Sequence, residues 1–118
     1  MKFYYNGNLI RTSKNHVYTH AALTPEGKTY ACSSSLEGAK KAVRKEISSC
    51  ETILNNYRNA IKAIEAGQPY YSAKESGQNW MRRLNGETVA DFEMYIDQVK
   101  SRIAYYKEFQ IVELEARN

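Results

Sequence analysis

The sequence predicts an α+β domain in which a small antiparallel sheet accompanies two long antiparallel helices. Three observations support this class. The first third of the chain has short runs rich in Val, Tyr and Thr that turn residues separate. Two later segments carry apolar residues at alternating steps of three and four. With 118 residues the chain can bury one core, so a single domain is predicted.

Residues 1–33 are predicted to form a meander of three or four antiparallel strands. Asn6 and Gly7 separate two strand-like runs within residues 3–11, because both central positions of a type I′ turn need positive φ and Asn-Gly tolerates it best. Residues 16–23 and 28–32 continue the strand pattern on either side of Pro25, whose ring presets φ for a turn.

A long helix is predicted over residues 34–66 and a second over residues 88–110. Ser34 followed by Glu37 is the pattern of a capping box, and Gly67 is typical of a helix end. Thr88 can cap the second helix. The apolar stripes are Leu36, Ala39, Val43, Ile47, Cys50, Leu54, Tyr57, Ile61 and Ile64 in the first helix, and Val89, Phe92, Ile96, Val99, Ile103 and Tyr106 in the second.

In the tail of residues 111–118, Val112, Leu114 and Ala116 alternate with Glu113 and Glu115, which predicts a strand returning to the sheet. Continuation of the second helix fits nearly as well. The regular helical stripes also predict a homo-oligomer, a dimer or larger, that forms through the helices, because a small sheet leaves part of each stripe uncovered. The sequence does not give the number of subunits.

The spacing of the cysteines and the shortness of the apolar runs predict in which cellular compartment the protein acts. Cys32 and Cys50 are neither a C-x-x-C pair nor a dense disulfide framework, so a reducing cytoplasm is expected. The start of the sequence lacks a signal-peptide pattern, and no window approaches the roughly 18 apolar residues of a membrane span.

No catalytic constellation, cofactor motif or metal site is predicted. His16 and His20 are the only histidines, and no further ligands stand at a recognisable metal spacing. Glu75, Glu87 and His20 are the only acid/base groups that an enzyme could use. A protein that binds without catalysis is therefore favoured, and ten tyrosines agree with this because tyrosine gives a large contact area at low entropy cost.

Residues 67–87 lie between the helices as a predicted loop, and a loop of this length in a small domain is usually functional or disordered. Its flat rings could stack on a nucleobase, while amide and guanidinium groups could read a base edge and hold phosphate. The predicted ligand-binding residues are Tyr71, Asn79, Trp80 and Arg82, with Arg102 from the second helix. The alternative is that the rings only close the end of the helical hairpin.

Positive charge is concentrated in the first half of the chain. Residues 1–50 hold eight lysines and arginines against three glutamates, whereas residues 51–118 hold nine against ten acidic residues. A second site for an anionic ligand is predicted from this bias. Its residues are Arg11, His20, Arg44 and Arg58. The alternative for each is ordinary solvated charge.

The layout resembles the small phage-encoded Thoeris anti-defence protein 1 family over nearly the whole chain. The resemblance lies in the opening FYYNGNLIRTSKNHVYTHAAL, in GKTYACSSSLEGAKKAV leading into a long helix, and in the ending IVELEA. It implies homo-oligomers that sequester cyclic ADP-ribose signals without cleaving them, and that capture cyclic oligonucleotides at a separate, symmetry-related site. The site residues named above come from their chemistry and not from this resemblance.

The sequence therefore predicts a phage anti-defence protein of the host cytoplasm that sequesters cyclic nucleotide immune signals. The alternative is a small phage inhibitor or regulator that binds a protein or a nucleic acid directly, for instance a nuclease inhibitor. A small-molecule ligand is favoured over nucleic acid, which is not excluded, and an enzyme ranks last. The identity of the cyclic nucleotide, and whether there are one or two kinds of site, stay open.

Overall fold

A computed structural model describes residues 1–68, 70–73, 79–82 and 88–118, and it describes 70–73 and 79–82 by their backbone. These residues form two helices and eight short strands, so the α+β class with antiparallel sheets and two long helices is confirmed. The elements in chain order are β1 Lys2–Tyr5, β2 Asn8–Thr12, β3 His20–Leu23, β4 Thr29–Ser33, α1 Leu36–Glu65, β5 Tyr70–Ala73, β6 Asn79–Arg82, α2 Val89–Lys107, β7 Gln110–Glu113 and β8 Glu115–Arg117.

The described residues divide into two compact units. Unit 1 comprises residues 1–46 and 105–118, and unit 2 comprises residues 47–104. The length of α1 accounts for this division. Its 30 residues span about 45 Å at 1.5 Å per residue, too far for one small core to cover. α1 therefore contributes its first turns to unit 1 and the remainder to unit 2.

Unit 1 contains two three-stranded antiparallel sheets, ordered β2, β1, β8 in sheet 1 and β4, β3, β7 in sheet 2. The predicted single meander is therefore wrong in one respect: β2 and β3 do not pair. Each hairpin instead receives its third strand from the C-terminal segment. The turn of the first hairpin is as predicted, because Asn6 and Gly7 both have positive φ, at 49° and 78°.

Residues 110–117 are strands, which decides between the two alternatives for the tail. β7 pairs with β3 from Leu23 opposite Gln110 to His20 opposite Glu113, and β8 pairs with β1. Between the two strands the Leu114 N–H donates to the Thr19 carbonyl at 2.8 Å. One extended segment thus completes both sheets.

The core of unit 1 lies between the two sheets. Ala21, Leu23 and Val112 of sheet 2 are buried, and partly buried side chains of both sheets pack against them. These partly buried side chains are Tyr5, Ile10, Cys32 and Leu114. A bulge opposite the Phe3 to Tyr4 step admits Ile10 as an extra residue in β2.

α1 begins one residue later than the predicted capping box. Ser35, not Ser34, is the cap, since its Oγ accepts the Gly38 N–H at 2.9 Å. Glu37 instead pairs with Lys40 and Arg44. Gly38 has a further role, because a Cβ there would lie 2.0 Å from the Ser33 Oγ. At the other end Gly67 has a φ of 68°, as its predicted role at the helix end requires.

Unit 2 is built around contacts between α1 and α2. Ala60 of α1 and Phe92 of α2 are fully buried, and Tyr57 packs against the rings of Phe92 and Tyr95 at centroid distances of 5.8 and 5.7 Å. The last turns of α1 thus meet the first turns of α2, as an antiparallel hairpin requires. Thr88 caps α2 as predicted, with its Oγ1 accepting the Asp91 N–H at 3.2 Å.

α2 ends at Lys107, three residues before the predicted end, in an aromatic cluster. The N–H groups of Glu108 and Phe109 turn back to carbonyls three residues earlier, and the Phe109 ring contacts Tyr30 at 5.1 Å and Tyr105 at 5.2 Å. The Tyr105 hydroxyl donates to the Glu26 carboxylate at 2.7 Å. This bond joins the end of α2 to the turn between β3 and β4.

Replacing Val112 tests the role of the C-terminal segment. Val112→Ala removes two buried methyl groups between the sheets and should lower the free energy of unfolding by about 2 kcal/mol. The matched control is Glu113→Ala, the exposed next residue in β7, which should change stability little. Urea unfolding followed by circular dichroism measures both. Equal effects of the two substitutions would contradict the packing described.

The Tyr105 to Glu26 bond predicts a pH-dependent contribution to stability. It lowers the pKa of the exposed Glu26 carboxyl and raises the pKa of the Tyr105 phenol. The contribution is therefore lost as pH falls below about 4, through the lowered Glu26 pKa, and as pH rises above about 10, through the raised Tyr105 pKa. Tyr105→Phe should lower the melting temperature at pH 7 and have less effect at both extremes. Tyr106→Phe, which leaves the bond in place, should show no such profile.

Candidate functional site

The first predicted ligand set lies mostly on a two-stranded ribbon in unit 2. The segment predicted as a loop contains β5 and β6, which pair antiparallel between α1 and α2. Tyr70, Tyr71 and Trp80 are aromatic residues with high strand propensity, which favours strands here. Tyr71, Asn79, Trp80 and Arg82 belong to these strands, and their side chains lie outside the described part of the chain. So do Glu75 and Glu87.

The register divides the first set between the two faces of the ribbon. Tyr71 lies opposite Met81 and Asn79 lies opposite Ala73. Because residues two apart in a strand share a face, Tyr71 and Asn79 are placed on one face, and Trp80 and Arg82 on the other. Tyr70 lies directly opposite Arg82 and so joins the second face. The sequence prediction did not include Tyr70, because its face depends on the register of the ribbon.

Arg102 completes the first set from α2. It is exposed and lies in unit 2, as the ribbon does. Two turns before it, Tyr95 stands on the same side of the helix, and its ring packs against Tyr57 and Phe92. Arg102 is thus on the same side of α2 as Tyr95, about two turns closer to the end of the helix.

The second predicted set is distributed over both units, with Arg11, His20 and Arg44 in unit 1 and Arg58 on α1 in unit 2. Arg11 is exposed in β2, and its guanidinium lies 5.6 Å from the centre of the Tyr18 ring. Arg11 is also close to Cys32: burial raises the pKa of that thiol, and the positive charge of Arg11 partly offsets the rise. The Cys32 sulfur is thus a thiol at neutral pH and a poor nucleophile.

His20 stands at the centre of a polar row across sheet 2. It lies opposite Ser33 of β4 and opposite Glu113 of β7, and its Nδ1 shares a hydrogen bond with the Thr19 hydroxyl at 2.8 Å. The Ser33 Oγ accepts the backbone N–H of Ser35 at 3.2 Å. The Ser33 hydroxyl therefore contacts the start of α1, and the hydrogen bond of the His20 ring is with Thr19.

Arg44 and Arg58 are exposed on α1. Arg44 contacts the Glu37 carboxylate at 3.5 Å, with 62% of its side chain exposed, and Lys40 contacts the same carboxylate at 3.8 Å. Exposed pairs of this kind contribute little to stability. For Arg44 the alternative of ordinary solvated charge thus has direct support, whereas Arg11 and His20 have aromatic or polar neighbours in the sheets.

Sequence reasoning missed a cationic pair on the outer face of sheet 1. Lys2 of β1 lies opposite Arg117 of β8, and the Arg117 guanidinium lies 4.8 Å from the centre of the Tyr4 ring. The same guanidinium donates two hydrogen bonds to Glu115, at 3.1 and 3.2 Å. Residues 2 and 117 are far apart in the sequence, so only the pairing of β1 with β8 brings them together.

Among the described residues, no group of three or more His, Cys, Asp or Glu side chains could hold a metal ion. In that part of the chain no buried side-chain nitrogen or oxygen lacks a hydrogen-bond partner. Cys50 is 1% exposed. Within the residues that the structure describes, no helix is both long and apolar enough to cross a membrane.

Comparison of the chain with models of known protein families, with curated proteins and with solved structures found no match.

Proposed function

We propose that the protein binds a cyclic nucleotide signal, a cyclic ADP-ribose isomer, and sequesters it without degrading it. The observation that carries the proposal is the ribbon of β5 and β6, whose register assigns Tyr70, Trp80 and Arg82 to one face. Aromatic rings stack on nucleobases, and a guanidinium binds phosphate through two parallel hydrogen bonds. One face of the ribbon thus combines the groups that a nucleotide with a pyrophosphate requires.

The chemistry of the described residues supports binding rather than catalysis. The Cys32 thiol has a raised pKa, Cys50 is buried, and the Ser33 hydroxyl is bonded to the start of α1. The described residues contain no metal cluster that could activate water. A protein that stores a signal needs affinity and a closed pocket, and it needs neither a nucleophile nor a general base.

The resemblance to the phage anti-defence family supports the same proposal and adds a setting. In that setting the protein acts in the cytoplasm of an infected host cell and removes an immune signal from its receptor. The resemblance also implies a separate site for cyclic oligonucleotides. Arg11 and His20 are the members of the second predicted set that suit such a site best, because Arg11 contacts the Tyr18 ring and His20 shares a hydrogen bond with Thr19.

A homo-oligomer formed through the helices is part of the proposal. Leu36 of α1 and Met94 of α2 are 42% and 50% exposed and provide apolar contacts for a second copy. The helical stripe itself contributes less than the sequence suggests, since Val43, Cys50 and Leu54 are buried within one chain. A pocket shared between copies would enclose more of a small charged ligand than one chain can.

Thermal shift with a panel of cyclic ADP-ribose isomers and cyclic di- and trinucleotides tests the proposal. One ligand at about a hundredfold excess over its dissociation constant should raise the melting temperature by about 10 °C. Trp80→Ala and Arg102→Ala should each reduce that shift. Their matched controls, Gln98→Ala and Lys100→Ala, alter exposed residues of α2 and should retain it.

The same panel separates this proposal from the alternative of a direct inhibitor. Absence of a shift with every member would exclude sequestration of these compounds and favour an inhibitor of a protein or nucleic acid. An unchanged shift in both Trp80→Ala and Arg102→Ala would remove the ribbon and α2 from the site. Light scattering on each variant checks that the oligomeric state is unaltered.

A further inference from the structure

The outer face of sheet 1 is an exposed surface that the cyclic nucleotide proposal does not use. Phe3 and Tyr5 of β1 face inward, where Phe3 is fully buried and Tyr5 packs against the core between the sheets. Lys2 and Tyr4 alternate with them and belong to the outer face. The register extends this face across three strands in two rows, Thr12, Lys2 and Arg117 in one and Leu9, Tyr4 and Glu115 in the other.

The two rows differ in chemistry. The first row contains two adjacent cations, since Lys2 is exposed and the Arg117 side chain is 53% exposed. The second row contains the half-buried Tyr4 ring beside Leu9, which is 53% exposed. Neighbouring strands lie about 4.8 Å apart, so a cationic row and an apolar row run side by side across roughly 10 Å.

Positive charge exceeds negative charge on the outer face, which carries Lys2 and Arg117 against the single carboxylate of Glu115. Arg11 of β2 lies opposite the buried Phe3 and therefore belongs to the other face. The hydrogen bonds that Arg117 donates to Glu115, together with the Tyr4 ring, hold its guanidinium in place, which reduces the entropy lost when it binds an anion.

We propose that the outer face of sheet 1 binds single-stranded nucleic acid. Lys2 and Arg117 contact phosphates along the strand, and unstacked bases lie against Leu9 and on the Arg117 guanidinium, which covers the Tyr4 ring. A single strand fits better than a duplex because its bases are free to meet an apolar row, whereas a duplex presents mainly phosphate to a shallow sheet. This binding does not depend on the cyclic nucleotide site of unit 2.

Glu115 sets the strength of this binding. Its carboxylate accepts two hydrogen bonds from Arg117 and therefore competes with phosphate for the same guanidinium. A phosphate that binds Arg117 must displace Glu115 or share the donors with it. Removing the charge of Glu115 should consequently increase affinity, an effect that a purely structural role of the ion pair would not produce.

Fluorescence anisotropy with a labelled 20-nucleotide oligothymidylate measures the binding at several salt concentrations. The wild-type protein should bind at about 50 mM salt with an affinity that falls as salt rises. Lys2→Gln with Arg117→Gln should weaken binding about tenfold and reduce the salt slope by about 1.4, since each phosphate contact on a single strand contributes about 0.7. Glu115→Gln should bind about threefold more tightly.

The matched control removes the same charge elsewhere. Lys41 of α1 and Lys100 of α2 are exposed, and Lys41→Gln with Lys100→Gln should leave the salt slope within error of wild type. Equal losses in the two double variants would show attraction to net charge alone and overturn the proposal. Absence of binding at low salt, or weaker binding by Glu115→Gln, would also overturn it. Circular dichroism shows whether Arg117→Gln disrupts the pairing of β8. If it does, Lys2→Gln alone provides the test.

Discussion

The pairing of residues 110–117 with two separate hairpins holds unit 1 together. β7 completes the sheet of β3 and β4, β8 completes the sheet of β1 and β2, and the Leu114 N–H bonds to Thr19 between them. Without this segment each hairpin would be a two-stranded ribbon, which is marginally stable in water. Val112 supplies the side chain that both sheets pack around. Forming this pairing has an entropic cost. The two ends of the described chain must come together before the strands make any contact with each other.

Both candidate binding surfaces depend on such pairings rather than on neighbours in the sequence. β8 brings Arg117 beside Lys2 and above Tyr4, which produces the cationic row on sheet 1. In unit 2 the register of β5 with β6 decides which rings share a face with Arg82.

Local chemistry was predictable from the sequence, and pairing between distant segments was not. Asn6 with Gly7, Thr88 and Gly67 have the roles expected of them in a turn, a helix cap and a helix end. Each role depends only on the backbone conformation or the hydrogen bonds of a few neighbouring residues. Three adjacent serines made the start of α1 ambiguous by one residue, and Ser35 is the cap. From the sequence alone, residues 110–117 fit a strand and a continued helix nearly equally well. Their pairing with β3 and β1 decides for strands. Of the predicted site residues, Tyr71 and Trp80 lie in strands of a segment predicted as a loop, and their placement on opposite faces follows only from the register.

The central claim is that the protein stores a nucleotide signal and does not transform it. The most direct measurement is to saturate the protein with the panel ligand that stabilises it most, remove the free ligand, denature the protein by heat and identify the released compound by chromatography and mass spectrometry. The account predicts the unchanged cyclic nucleotide in a fixed ratio to protein. An altered product, or conversion of more ligand than there are sites, would contradict it and show that the protein is an enzyme.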